Sequence, residues 1–283
     1  YKISKNRALN ILGLEYENFI HKLAEGEGST MTFAQTSATI NNLPVSNVRP
    51  KDVLVVKCIQ NGVDYVMDLL RKDDFFFDKQ TLKMINRYVA SNDNFDNIGD
   101  FRIWPIKIAG SKHRGSNPNE FDDIFFNISE KYNSNENYDE INLFMDLAKT
   151  QFFGNGNKRA GQLMMNGLLV SKGYCPFVIN FKEPKFSEAL VKWYDDNDEK
   201  TIYDFFIKNK KGMIEKDAFY LAETTSYQQR NKKIFALLNA LQTSDDCECI
   251  CHVAIWFRKY PHSVRQDGKC ACRSQMAEYF RVA

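Results

Sequence analysis

The chain has 283 residues, a formal net charge of +2 and 43% hydrophobic residues, a profile that fits one large globular domain with small appendages. Near-neutral charge supplies no bulk attraction for nucleic acid, no apolar run reaches membrane-spanning length, and no signal-peptide pattern opens the chain. Cys58 and Cys175 stand singly in the main body, so no disulfide framework is expected, no membrane partner is expected, and the expected location is a reducing cytoplasm.

Helical periodicity dominates the chain. Val56, Ile59, Val63, Val66, Met67 and Leu70 form an apolar stripe after the start signals Ser46 and Pro50. Leu82, Ile85 and Val89 mark a second, shorter helix. Between Phe101 and Ile108 the pattern changes to alternation, with Phe101 and Ile103 set against Arg102 and Trp104. Pro105 interrupts it, which predicts an edge strand closed by a turn at Gly110-Ser111, a small hairpin beside a helical body. Asn117-Pro118 introduces a helix carrying Phe121, Ile124, Phe125 and Ile128. Ile141, Phe144, Met145 and Ala148 mark the next, which runs into the segment Gln151–Arg159. Leu163, Met164, Gly167 and Leu168 continue beyond that segment, with Gly173 as the stop. Later stripes are Phe186 to Trp193, Ile202 to Phe206, and Ile234 to Leu241. All of these are expected to be core.

Gln151-Phe-Phe-Gly-Asn-Gly-Asn-Lys-Arg159 is the chemically informative segment. A glycine lets the backbone approach a phosphate, a helix start offers free N–H groups and positive dipole, and Lys158 and Arg159 add full charges. Gly156-Asn157 is also readable as a plain interhelix turn, because both residues tolerate positive φ. The segment holds no histidine and no carboxylate.

These residues resemble the motif of the Fic/Doc family, His-Pro-Phe-x-Asp/Glu-Gly-Asn-Gly/Lys-Arg, with matches at Phe153, Gly156, Asn157, Lys158 and Arg159. Phe101 through Ile108 to Gly110 and Ser111 looks like the family's flap hairpin. Gln35 to Asn42 looks like the inhibitory helix found upstream in one class of these proteins, with Ser37 at the hydroxyl position and Asn41 in place of the inhibitory glutamate. The resemblance implies a mainly α fold, a Fic-type helical bundle with a small β-hairpin flap. It implies transfer of AMP from ATP, with Mg²⁺, to a hydroxyl of a target protein docked on the flap. The family histidine is the general base, its acidic residue holds the metal, and the turn with its basic residues holds the phosphates.

This chain departs from that pattern at the chemistry. Gln151 replaces the histidine, and a neutral amide accepts no proton at physiological pH. Asn155 replaces the metal-binding carboxylate and offers only an uncharged oxygen to Mg²⁺. Gln162 stands at the position of a second motif arginine. The resemblance therefore implies a protein adenylyltransferase-like chain with a degenerate site. A Fic-fold protein-interaction module without catalysis is the alternative, and His113 is the nearest histidine in sequence to the site.

The expected organisation is an N-terminal helical region over 1–75, a Fic-like core over 76–212, a helical region over 213–246 and a cysteine-rich tail over 247–283. Cys247, Cys249, Cys251, Cys270 and Cys272 offer soft ligands for Zn²⁺ at a spacing that is not standard for structural zinc. The tail is locally basic, which leaves nucleic-acid binding as a weaker alternative, but it stops short of any recognition helix, so nucleic acid is not the expected partner.

Overall fold

The computed structural model describes residues 2–93, 97–133, 140–179 and 181–224. Chain contacts separate a body, Lys2–Ile207, from a second unit that runs from Lys208 to the C-terminus. The expected helix around Ile234 and the five tail cysteines lie outside the described residues.

The body is built from helices: α1 (Lys5–Leu14), α2 (Tyr16–Gly26), α3 (Phe33–Ile40), α4 (Pro50–Arg71), α5 (Lys79–Val89), α6 (Phe121–Asn133), α7 (Glu140–Thr150), α8 (Asn157–Ser171), α9 (Pro184–Asp196) and the residues to Ile207 of α10 (Glu199–Thr224). The chemistry of the helix starts is local. Thr32 caps α3 through a reciprocal box with Gln35, Pro50 opens α4, Asp78 accepts the backbone N–H of Thr81 at α5, and Pro184 opens α9. Asn117-Pro118 opens a single 3₁₀ turn that feeds α6. At Gly173, φ is +76° and the Tyr174 N–H returns to the Leu169 carbonyl at 2.7 Å, which ends α8 at the expected stop.

Helix α8 is the axis of the body. Every residue from Arg159 to Val170 is buried, and the helix packs against α7, α5, α4 and α1. Two buried amides inside this core are matched to backbone N–H groups. Gln162 Oε1 accepts the Ile179 N–H at 2.7 Å, and Asn166 Oδ1 accepts the Phe177 N–H at 2.9 Å. Four residues of helix advance about 6 Å and two residues of extended chain about 6.6 Å, so the two amides read successive inward N–H groups of one extended segment. Gln162 is thus fully buried in a structural role.

Among the described residues the expected strand over Phe101–Ile108 does not form. A single antiparallel bridge, Lys107 with Arg114, closes the turn in which Gly110 has φ +79°. The expected alternation is also inverted, since Arg102 is buried and Ile103 is 81% exposed. Phe101 stacks on Phe152, with ring centroids 4.5 Å apart, and the Arg102 N–H donates to the Phe152 carbonyl at 2.9 Å. The segment pairs with the loop before α8 rather than with a partner strand, and Pro105 removes one donor from any ladder.

Candidate functional site

Helix α7 ends at Thr150 and the chain turns sharply at Gln151, whose φ is +55°. A left-handed residue after a helix is a common C-terminal cap, though glycine or asparagine is the usual occupant. Here the turn is held from three sides. The Gln151 N–H donates to the Leu147 carbonyl at 3.1 Å, and Arg102 Nε donates to the Gln151 carbonyl at 2.7 Å. Gly115 packs so close that a Cβ there would lie 2.8 Å from Gln151 Cβ. Arg102 also donates to the carbonyls of Trp104 and Ser116. No carboxylate pairs with this buried cation among the described residues, and burial lowers its pKa from the ordinary arginine value. Three backbone carbonyls take the counter-ion's place, and that of Gln151 lies at the negative end of α7.

The loop then closes on Asn157. Its Oδ1 accepts the Phe153 N–H at 2.9 Å, and its Nδ2 donates to the Phe153 carbonyl at 2.8 Å and to Gln151 Oε1 at 3.1 Å. Gln151 Nε2 donates to the Ala148 carbonyl at 2.6 Å. Both ends of the Gln151 amide are therefore committed. Gly156 precedes α8 with φ +77°, and no side chain caps the helix start.

A cleft of about 200 Å³ opens at this point. Gly154 to Lys158 form one wall, Ile108 and Ala109 of the flap turn form another, and Ser187, Leu190, Val191 and Tyr194 present one face of α9. Glu27, just past the end of α2, completes it. Lys158 lines the cleft with its ammonium 5.6 Å from the centroid of the Phe181 ring. This is an uncapped helix start with a lysine and an apolar wall, an arrangement suited to an anion carrying an apolar group.

The structure gives Arg159 a different position from Lys158. Arg159 is 1% exposed, donates to the Val89 carbonyl, and donates Nη2 to Asp93 Oδ2 at 2.8 Å. Its Nε lies 3.1 Å from Glu27 Oε1 in an ion pair, yet it makes no hydrogen bond there and is a buried donor without a hydrogen-bond partner. Asn155 is exposed, with its amide nitrogen on Asp93 at 2.9 Å and its oxygen on the Gly156 N–H at 2.8 Å.

Other expected residues are placed as follows. Ile108 lines the cleft, and Ser111 lies beyond it with its hydroxyl donated to Asp195. Ser37 and Asn41 are not brought to the cleft: Asn41 caps the end of α3 and donates to Glu17 at 2.9 Å. The carboxylate that reaches the site is Glu27, which the sequence reading did not single out. Its only sequence signal is its place directly after the amphipathic run Phe19, Ile20, Leu23 and Ala24. His113 stacks on Tyr194 at 5.4 Å and commits Nε2 to the Lys149 carbonyl at 2.9 Å, outside the cleft lining. Tyr194 lines the cleft, but burial pushes its hydroxyl well above the usual range, and that proton is donated to the Ala148 carbonyl at 2.9 Å.

No family model matches the chain, and no curated protein matches it. Solved structures do match. Fic-1 from C. elegans is similar over 76% of this chain and 67% of its own length, with a TM-score of 0.66 and 16% identity. A Fic domain containing signaling protein from Bacteroides thetaiotaomicron is similar over 78% of this chain and 90% of its own, with a TM-score of 0.62 and 16% identity. A Fic family protein from Desulfovibrio desulfuricans is similar over 79% and 67%, with a TM-score of 0.58 and 15% identity. The chain has the helical fold of the Fic-domain proteins. Among the described residues no helix is long and apolar enough to cross a membrane.

Proposed function

We propose that the chain binds the phosphates of a nucleotide, with ATP the family precedent, at the start of α8, and that it does not perform the family's AMP transfer at a useful rate. The observation that carries the reading is the cleft itself: it sits on an uncapped helix start with Lys158 in its wall and Gln151 at its rim. Phosphate binding needs what is present there. Deprotonation of an attacking hydroxyl needs a base, and the Gln151 amide is neutral and hydrogen-bonded at both ends. His113 lies outside the cleft lining, and burial keeps the Tyr194 phenol protonated with its proton on the Ala148 carbonyl.

The residues fit an anion better than they fit a protein-held Mg²⁺. The Asn155 oxygen is occupied by a backbone N–H, Asp93 is shared by two donors, and no group of three metal-ligating acids, histidines or cysteines exists among the described residues. The cleft is also small for a whole nucleotide, because ligand pockets typically hold about 300–1,000 Å³. Glu27 lines that space and adds a negative charge, so in this reading nucleotide entry displaces it. The regulatory role that the resemblance assigned to Ser37 and Asn41 passes in this reading to Glu27. The flap would present a target protein's backbone beside the cleft.

A transfer assay with labelled ATP, Mg²⁺ and a lysate of candidate targets tests the catalytic half. The wild-type chain is expected at background, and Gln151→His with Asn155→Asp is expected to raise labelling, since together they return a base and a metal carboxylate. Robust wild-type turnover contradicts the loss-of-base argument. A folded wild-type chain that binds no nucleotide favours the alternative of a pure protein-interaction module.

A further inference from the structure

We propose that Asp93, which lies outside the Gln151–Arg159 segment, is a positioning residue of the phosphate site. The inference rests on the nucleotide-binding reading above. Asp93 follows α5, in the stretch that leads toward the flap. One of its oxygens, Oδ2, accepts from Asn155 Nδ2 at 2.9 Å and from Arg159 Nη2 at 2.8 Å. Those donors flank the turn at Gly156, one before it and one in the first turn of α8. A single carboxylate oxygen thus ties the loop that covers the helix start to the helix itself.

The chemistry at Arg159 explains why such a tie matters. The guanidinium is fixed at two of its nitrogens, by Val89 and by Asp93, while Nε is buried with no hydrogen-bond partner and lies 3.1 Å from Glu27. Glu27 in turn lines the cleft and is only partly buried, whereas Arg159 lies behind it outside the lining, with its Nε proton not directed at the Glu27 oxygen. A buried N–H without an acceptor is costly, and a phosphate oxygen that displaces Glu27 is a suitable acceptor. In this proposal Asp93 stays in place during that exchange and holds the guanidinium against the turn through Nη2. It also returns to this turn, from another element, the carboxylate that Asn155 lacks. Asn86 supports the same turn from α5, donating Nδ2 to the Asn155 carbonyl at 2.8 Å.

The position of Asp93 makes the proposal separable from plain electrostatics. Asp93 is an anion beside an anion site, so if its charge were all that mattered, its removal would strengthen binding of phosphates. A positioning role predicts the opposite sign. The experiment is calorimetric titration of the intact chain with ATP and with adenosine, for wild type, Asp93→Ala, Asp93→Asn and Asp93→Glu. Asp93→Ala is expected to weaken ATP binding about tenfold and leave adenosine binding unchanged, with Asp93→Asn, which keeps an acceptor oxygen, in between. If Asp93→Ala does not fold, the Asn and Glu variants give the sign. Unchanged or tighter ATP binding in the variants, or equal losses for ATP and adenosine, overturns the positioning role. A folded wild-type chain that binds neither ligand sinks the nucleotide-binding reading instead, and with it the premise of this proposal.

Discussion

Gly156 carries the tightest local requirement in the site. Its φ of +77° lies where an L side chain is strained, and a Cβ there would stand 2.7 Å from Asn86 Nδ2 and 3.1 Å from Ala90 Cβ. The left-handed conformation alone costs a residue with a Cβ about 1–2 kcal/mol, and the Asn86 amide that holds the Asn155 carbonyl must also yield. Gly156→Ala is therefore expected to lower unfolding stability by at least that amount, read from the urea midpoint at constant slope. A variant as stable as wild type contradicts the close packing of α5 against the turn. At this scale the sequence was partly legible: a glycine before a helix announced the turn, and Gln151 stands beside it in the cleft lining. Arg102 was not legible as a buried group, because its three carbonyl acceptors come from Trp104, Ser116 and Gln151, segments that only folding brings together.

The flap turn is an element held at its tip as well as its base. Asp195, near the end of α9, accepts from the Ser111 hydroxyl, from the Lys112 N–H at 2.9 Å and from the His113 N–H at 3.2 Å. The Ser111 hydroxyl, followed by the two backbone N–H groups, holds the Asp195 carboxyl below the ordinary carboxylate range. A carboxyl whose folded pKa is depressed contributes stability above its unfolded value, about 3.9, and loses it as pH falls through the lower folded value. Protection of the Lys112 and His113 amides from hydrogen exchange should therefore persist between about pH 5 and 7 and fall in acid before the α8 core amides open. Asp195→Ala should remove it at every pH. Equal protection in the two proteins contradicts the latch. The turn was readable from Gly110-Ser111, but the form of the segment before it was not. Alternation over Phe101–Trp104 suggested a strand, whereas the aromatic stack of Phe101 on Phe152 and the burial of Arg102 drew the segment onto the loop before α8.

On the scale of the whole body, α8 is a buried axis whose open end carries the site, and helices from distant parts of the sequence converge on that end. Periodicity announced α4, α5, α6 and α9 because each buries one apolar face, whereas α8 is buried on all sides. It could not announce which polar groups meet at the start of α8, since Glu27, Asp93 and Arg159 reach it from three separate elements. The same convergence sets the charge of the cleft. Lys158 and the helix start attract an anion, while Glu27 beside Arg159 opposes one, so under the proposed function Glu27 is the barrier and Lys158 the anchor. The measurement that tests this most directly is calorimetric titration of ATP into the intact wild-type chain, Glu27→Ala and Lys158→Ala. Saturable binding is predicted, tightened about tenfold by Glu27→Ala and weakened about tenfold by Lys158→Ala, each near 1.4 kcal/mol. Absence of saturable binding in both wild type and a folded Glu27→Ala would contradict it.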